Sequence, residues 1–145
     1  MSITRRQILQ MVGVGLAATQ VPSVTASGIF SKSALKPPRL KAGDTVGLIN
    51  PAGATFHKDD VDIARETFAA LGLKMKAGEH LLDRYGYLAG TDANRAADVN
   101  NMYADPEVNA IITLRGGWGC NRILDLLDYK LIAKHPKIIM GYSDI

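Results

Sequence analysis

Four short strand-like runs, DTVGLIN (44–50), LKMKA (73–77), NAIITL (109–114) and KIIM (137–140), recur along the chain, with hardly any polar alternation across the set. Between them lie segments of helical period. Val61, Ala64, Phe68 and Leu71 fall at i, i+3, i+7 and i+10 after the caps Asp59 or Asp60, and Gly72 is a natural stop. Thr91 with Asp92 opens a second helix through Ala104, with Ala96, Val99 and Tyr103 on one face and Pro106 beyond its end. A third helix is expected from Cys120 to Leu127. Apolar strands alternating with helices predict an α/β fold: a parallel sheet of about four strands flanked by helices on both faces.

Such sheets keep their chemistry at the strands' carboxyl ends. That rim would carry Pro51-Ala52-Gly53, the loop 78–91, the glycine turn 116–119 and Gly141-Tyr142-Ser143-Asp144. All the motifs of interest thus fall on one edge. No internal repeat or low-complexity tract interrupts the pattern.

The first 26 residues follow another logic. Arg5 and Arg6 precede an apolar stretch from Ile8 to Ala18, and small residues follow at Val24 and Ala26. This order is that of a signal peptide of twin-arginine type, cut after Ala26, which predicts export to the periplasm; a cytoplasmic protein with an uncleaved N-terminal helix is the alternative. The stretch is shorter than the ~20 residues of a spanning helix, so no stable membrane anchor is expected. Residues 27–39 read as a linker and 40–145 as the folded domain.

Composition excludes several function classes. With 47% hydrophobic and 21% charged residues, the chain suits one soluble domain. Removing Arg5 and Arg6 lowers the formal charge from +3 to +1, and the remaining basic residues are dispersed, so nucleic acid is not an expected partner. Cys120 is the single cysteine, which rules out an intrachain disulfide and a cysteine-rich metal site. The pairs Asp59/Asp60 and Asp125/Asp128 read as caps and solvated faces, with nothing placing two carboxylates across one cleft as a glycosidase needs.

Gly141-Tyr142-Ser143 after an apolar strand looks like the start of a nucleophile elbow, where a tight turn lifts a serine hydroxyl above the sheet. The N–H of Asp144 would then face a developing oxyanion. Ile145 stands where such elbows usually carry glycine.

LKAGDTVGLINPAG, YLAGTDANRAADVN, AIITLRGGWGCNRILDLLDY and PKIIMGYSDI, in that order and spacing, resemble the N-terminal half of the LD-carboxypeptidase family of serine peptidases. That family includes muropeptide L,D-carboxypeptidases and relatives conferring immunity to microcin C. The resemblance implies release of the terminal D-alanine from a murein tetrapeptide by a Ser-His-Glu triad, with no metal or other cofactor. It makes Ser143 the nucleophile, the Asp144 main chain one oxyanion donor and the Gly116-Gly117 turn the source of the other. Trp118 and Tyr142 are candidate substrate contacts, Trp118 suiting equally well a cap on the sheet's edge.

In the family the triad's Glu and His lie in a C-terminal domain, so this chain is expected to be a truncated fragment, inactive alone. A serine hydroxyl needs a base. His135 lies eight residues before Ser143 across a strand, roughly 26 Å at ~3.3 Å per residue, and belongs to the opposite rim. His57 and His80 share the serine's rim, but neither has an evident carboxylate to orient it.

Three rivals remain. Arg115-Gly-Gly-Trp-Gly119 could cradle the phosphate of a nucleotide or another anion at a helix N-terminus. Cys120, near that terminus, could be an activated thiol, although a small packed residue is the default. Alternatively, the domain is a non-catalytic remnant whose uncovered apolar face would drive a homodimer or aggregation. Tyr85, Tyr87 and Arg95 resemble part of the family signature, and a role tying the loop to the sheet suits them as well.

Overall fold

The computed structural model describes residues 35–145; the signal-peptide reading and most of the linker lie outside them. Its elements are β1 (Thr45–Ile49), α1 (Lys58–Ala70), β2 (Lys74–Ala77), α2 (Asp92–Ala104), β3 (Val108–Thr113), a 3-10 helix (Cys120–Leu126), α3 (Tyr129–Lys134) and β4 (Ile138–Met140). The sheet order is β2-β1-β3-β4, and every pairing is parallel. The expected α/β sheet covered by helices is therefore present. This order puts its reversal point between β1 and β3, where open α/β sheets form a crevice beyond the strand ends.

Two apolar layers explain why the strands lack alternation. On one face Ile49 and Ile111 pack with Ala96, Val99, Met102 and Tyr103 of α2 and with Ile123. On the other, Val46 and Leu48 pack with Val61 and Phe68 of α1 and with Leu81. Gly47 lets α2 approach, since a Cβ there would lie 2.6 Å from the Met102 sulfur. Beside it the β1–β3 register shifts at Thr45/Val46, and the Asn109 side chain accepts the Thr45 N–H at 2.9 Å. The irregularity thus leaves no orphan donor there.

Helix termini follow the sequence at some ends and depart at others. Thr91 caps α2, accepting the Asn94 N–H at 3.2 Å, and Gly72, at φ +73°, ends α1. His57, however, occupies the N-cap of α1, with Asp59 and Asp60 inside the first turn, where their charges suit the helix dipole. The expected helix 120–127 is instead a 3-10 turn followed by α3. Asn100 of α2 explains the break: its amide donates to the Leu126 carbonyl at 3.0 Å and accepts the Asp128 N–H at 2.9 Å. Both groups are thereby withheld from a continuing helix, and Asp128 starts the next one by capping the Leu131 N–H at 2.9 Å.

No helix among the described residues is long and apolar enough to cross a membrane.

Candidate active site

Two buried polar side chains build the carboxyl rim. Asn50, at the end of β1, donates to Thr55 Oγ1 (2.8 Å) and to the Leu81 carbonyl (2.9 Å), while its own oxygen accepts the Arg115 N–H at 3.0 Å. One amide thus joins the loops after β1, β2 and β3. Arg95 of α2 is 1% exposed and donates to the Pro51 carbonyl, to the Gly119 carbonyl at 3.1 Å and to the Asp92 carboxylate. Asp92 also pairs with Arg122 at 2.8 Å, and these cations hold its carboxyl below the usual range. Residue order marks Arg95 only as part of a family-like segment and gives Asn50 no role; the one local signal is an Asn closing an apolar strand.

The loop after β2 joins this frame. Tyr87 and Ala54, and Ala89 and Ala52, pair through main-chain hydrogen bonds of 2.9 and 3.0 Å. Trp118 stacks on Tyr87, with ring centroids 5.3 Å apart and planes 7° from parallel. The Tyr87 hydroxyl lies over Gly117, where a Cβ would come within 2.0 Å of it; Gly117 also holds φ +101°, so glycine is required twice over.

Against this turn sits the tight bend after β4. Ser143 is exposed and has φ +63°, making it the one non-glycine residue with positive φ among those described. Such a conformation costs roughly 1–3 kcal/mol in a non-glycine residue and is found where a side chain must be presented. A Cβ on Gly116 would lie 2.6 Å from the Tyr142 carbonyl and 2.9 Å from Ser143 Cβ, so the glycine turn and the serine bend touch. The N–H groups of Gly116, Gly117 and Asp144 have no hydrogen-bond partner among the described residues. The Ile145 side chain lies over Gly141, where a Cβ would meet it at 2.4 Å.

Two clefts flank the serine. One, of about 340 Å³, is lined by Asp60, Ile63, Leu114, Arg115 and Tyr142; the other, of about 310 Å³, by Trp118, Gly119, Cys120, Asn121 and Asp144. Trp118 and Tyr142 are thus walls of different clefts. Cys120 is half-buried, and burial pushes its thiol pKa up, with the Arg95 charge only partly opposing. The helix it opens is a seven-residue 3-10 segment, a weaker dipole than the expected α-helix. The activated-thiol reading is corrected accordingly.

The histidines fall in different places. His135 lines a hollow with Pro38, Asp44 and Asn109 at the amino ends of the strands. His80 does have a carboxylate, contrary to expectation: its Nδ1 lies 2.8 Å from Asp83. This pair follows β2, whereas Ser143 follows β4, and β1 and β3 intervene. Three strand spacings of ~4.8 Å put the pair roughly 14 Å from the serine. Among the described residues no cluster of three His, Cys, Asp or Glu side chains could hold a metal ion.

Residues 46–145 match the family described as LD-carboxypeptidase N-terminal domain. The probable murein peptide carboxypeptidase of Bacillus subtilis is 47% identical over 118 residues, covering 81% of this chain and 36% of that protein. The murein tetrapeptide carboxypeptidase of Pseudomonas aeruginosa is 38% identical over 101 residues, covering 69% and 33%. Among solved structures, an MccF-like protein from Bacillus anthracis superposes with TM-score 0.73 at 32% identity, covering 77% of this chain and 35% of that one. The chain therefore spans about a third of the length of the relatives it matches. With the match running through both the glycine turn and the serine bend, this chain belongs to the LD-carboxypeptidase family and represents its N-terminal domain.

Proposed function

We propose that this domain supplies the nucleophile and the oxyanion-binding turn of a serine carboxypeptidase that releases the terminal D-alanine of murein tetrapeptides. The observation that carries it is Ser143: an exposed side chain at positive φ, packed against a glycine turn with free N–H groups. In the proposed reaction Ser143 Oγ attacks the scissile carbonyl as a base takes its proton. The resulting oxyanion accepts hydrogen bonds from the Asp144 N–H and from Gly117 or Gly116. Collapse expels the D-alanine amine, which takes the proton back, and water then cleaves the acyl-enzyme. His80 is too far across the sheet to be that base, which supports the family's His and Glu, carried by its C-terminal domain, in the role.

Murein peptide is favoured over a microcin-type substrate by sequence identity. The Bacillus subtilis relative named for murein peptide is 47% identical, against 34% for the microcin C7 self-immunity protein of Escherichia coli. The Arg5-Arg6 leader supports an exported enzyme working on a periplasmic muropeptide pool.

The test is D-alanine release from a murein tetrapeptide, followed by mass spectrometry, for the full-length protein and its Ser143→Ala variant. Removing the nucleophile should lower turnover by about 10³-fold or more. An unchanged rate would refute the assignment.

A further inference from the structure

Phe56, in the loop after β1, is half-exposed and carries two guanidinium groups on its ring. Arg84, from the loop after β2, lies 4.7 Å from the ring centroid, and Arg115, from the end of β3, lies 5.1 Å from it. The guanidinium carbons are therefore no more than about 10 Å apart, the sum of those distances. Among the described residues neither arginine has a carboxylate within ion-pair distance; Arg84 donates only its Nε–H, to the Gly86 carbonyl at 3.2 Å. Three separate loops thus converge to hold two like charges over one ring. An anion between or beside them would relieve the repulsion, and a planar guanidinium matches a carboxylate through paired hydrogen bonds.

Arg115 is placed for a ligand that also reaches the serine. It lines the 340 Å³ cleft whose wall includes Tyr142, and the next residue, Gly116, packs on Ser143. Its main chain is pinned by Asn50, so the base of the side chain is fixed whether or not a ligand is bound. Asp60 lines the same cleft, outside ion-pair distance from Arg115, and its charge would repel an anion lodged on its own side. The favourable position is therefore beside the Arg115 guanidinium and away from Asp60.

We infer that Arg115, assisted by Arg84 across Phe56, forms a subsite that binds a carboxylate of the peptide substrate and so sets its position relative to Ser143. The inference rests on the proposed peptidase function and adds to it the group recognised. Loss of the side chain leaves the Asn50 contact to the main chain intact, so the Arg115→Gln variant retains the fold, which a thermal melt verifies.

The experiment is calorimetric titration of the full-length protein carrying Ser143→Ala, with and without Arg115→Gln. The ligands are a murein tetrapeptide and versions with each carboxylate amidated in turn. Arg115→Gln should weaken free-acid binding by about 10-fold or more, and one amidated peptide should bind both proteins equally. Arg115→Lys should recover part of the loss, since it restores charge without the planar fork. An equal loss for the free acid and for every amide would overturn the inference, as would adenosine monophosphate binding more tightly than the peptide and depending on Arg115. If the wild-type enzyme binds the free acid through Arg115 yet releases no D-alanine, the function falls while the subsite stands.

Discussion

Gly116 and Ser143 are in contact so close that a single added carbon on the glycine would sit 2.9 Å from Ser143 Cβ and 2.6 Å from the Tyr142 carbonyl. The neighbour at 2.6 Å is main chain, so no side-chain rotation relieves the clash. The glycine turn and the serine bend can therefore hold their relative position only with hydrogen at this site.

Gly116→Ala is expected to push the bend away from the turn. Overpacking of this kind costs about 1–3 kcal/mol, and displacement of reacting groups by about 1 Å can lower rate by 10²-fold. In the full-length protein the expected result is a melting temperature a few degrees lower and a disproportionate loss of the proposed D-alanine release. Gly43→Ala is a distant control that destabilises through backbone strain alone, since φ there is +90° and the added carbon meets nothing within 4 Å; equal loss of activity in it would argue for general destabilisation instead.

Arg95→Ala should act on stability first. The change leaves the Pro51 and Gly119 carbonyls without their donor and frees Asp92 to pair with Arg122 alone. Unsatisfied buried groups cost about 1–3 kcal/mol each, so a loss of about 3–5 kcal/mol in urea unfolding is expected. Arg95→Lys should recover only part of it, because one ammonium cannot reproduce the planar fork. Full recovery by lysine would mean that charge alone matters at this position.

The distinction between those two glycines and that arginine shows what sequence could convey. Strand runs and helix periods are local, so the sheet, α1, α2 and the rim were legible in residue order. The serine bend was legible too, because Gly141-Tyr142-Ser143 directly follows its strand. The main-chain contacts that Asn50 makes with Leu81 and Arg115, and Arg95 with Pro51 and Gly119, were not, since those partners lie 24 to 65 residues away and become neighbours only when the sheet closes. The same holds for Asn100 breaking the third helix, and for Phe56 gathering Arg84 and Arg115. The His80–Asp83 pair was within reach, because the two residues are three apart in one loop.

Cys120→Ala in the full-length protein should leave the proposed D-alanine release within about twofold of wild type, as expected of a small packed side chain. The thiol is half-buried and burial raises its pKa, so little thiolate forms near neutrality. Alkylation of the folded protein by iodoacetamide at neutral pH should accordingly be slow and should speed up on unfolding. Rapid alkylation with loss of activity would move the nucleophile to the thiol.

Asp98 gives the fold a specific pH dependence. Its residue is 4% exposed, and burial pushes the carboxyl pKa above the ordinary 3.8; the His80 N–H, at 3.1 Å, and the His80 charge partly oppose the rise. Above 3.8, and up to the raised value, the native protein therefore holds a proton that the unfolded chain has released. The stability this proton confers is complete below the unfolded pKa and is lost as pH climbs through the folded one. Asp92 and Asp105, whose pKa values are lowered by Arg122 and Lys76, run the other way and weaken the fold as pH falls. Their effect is common to wild type and Asp98→Asn and cancels in the difference. Urea unfolding across that range should thus show wild type losing stability relative to Asp98→Asn as pH rises from about 4. The His80 N–H donates to this carboxyl and favours its ionised form, so it limits the loss without reversing it. Parallel stability curves for the two proteins would mean that Asp98 titrates alike in the folded and unfolded chains, and that its burial between Gly78 and α2 is relieved by water.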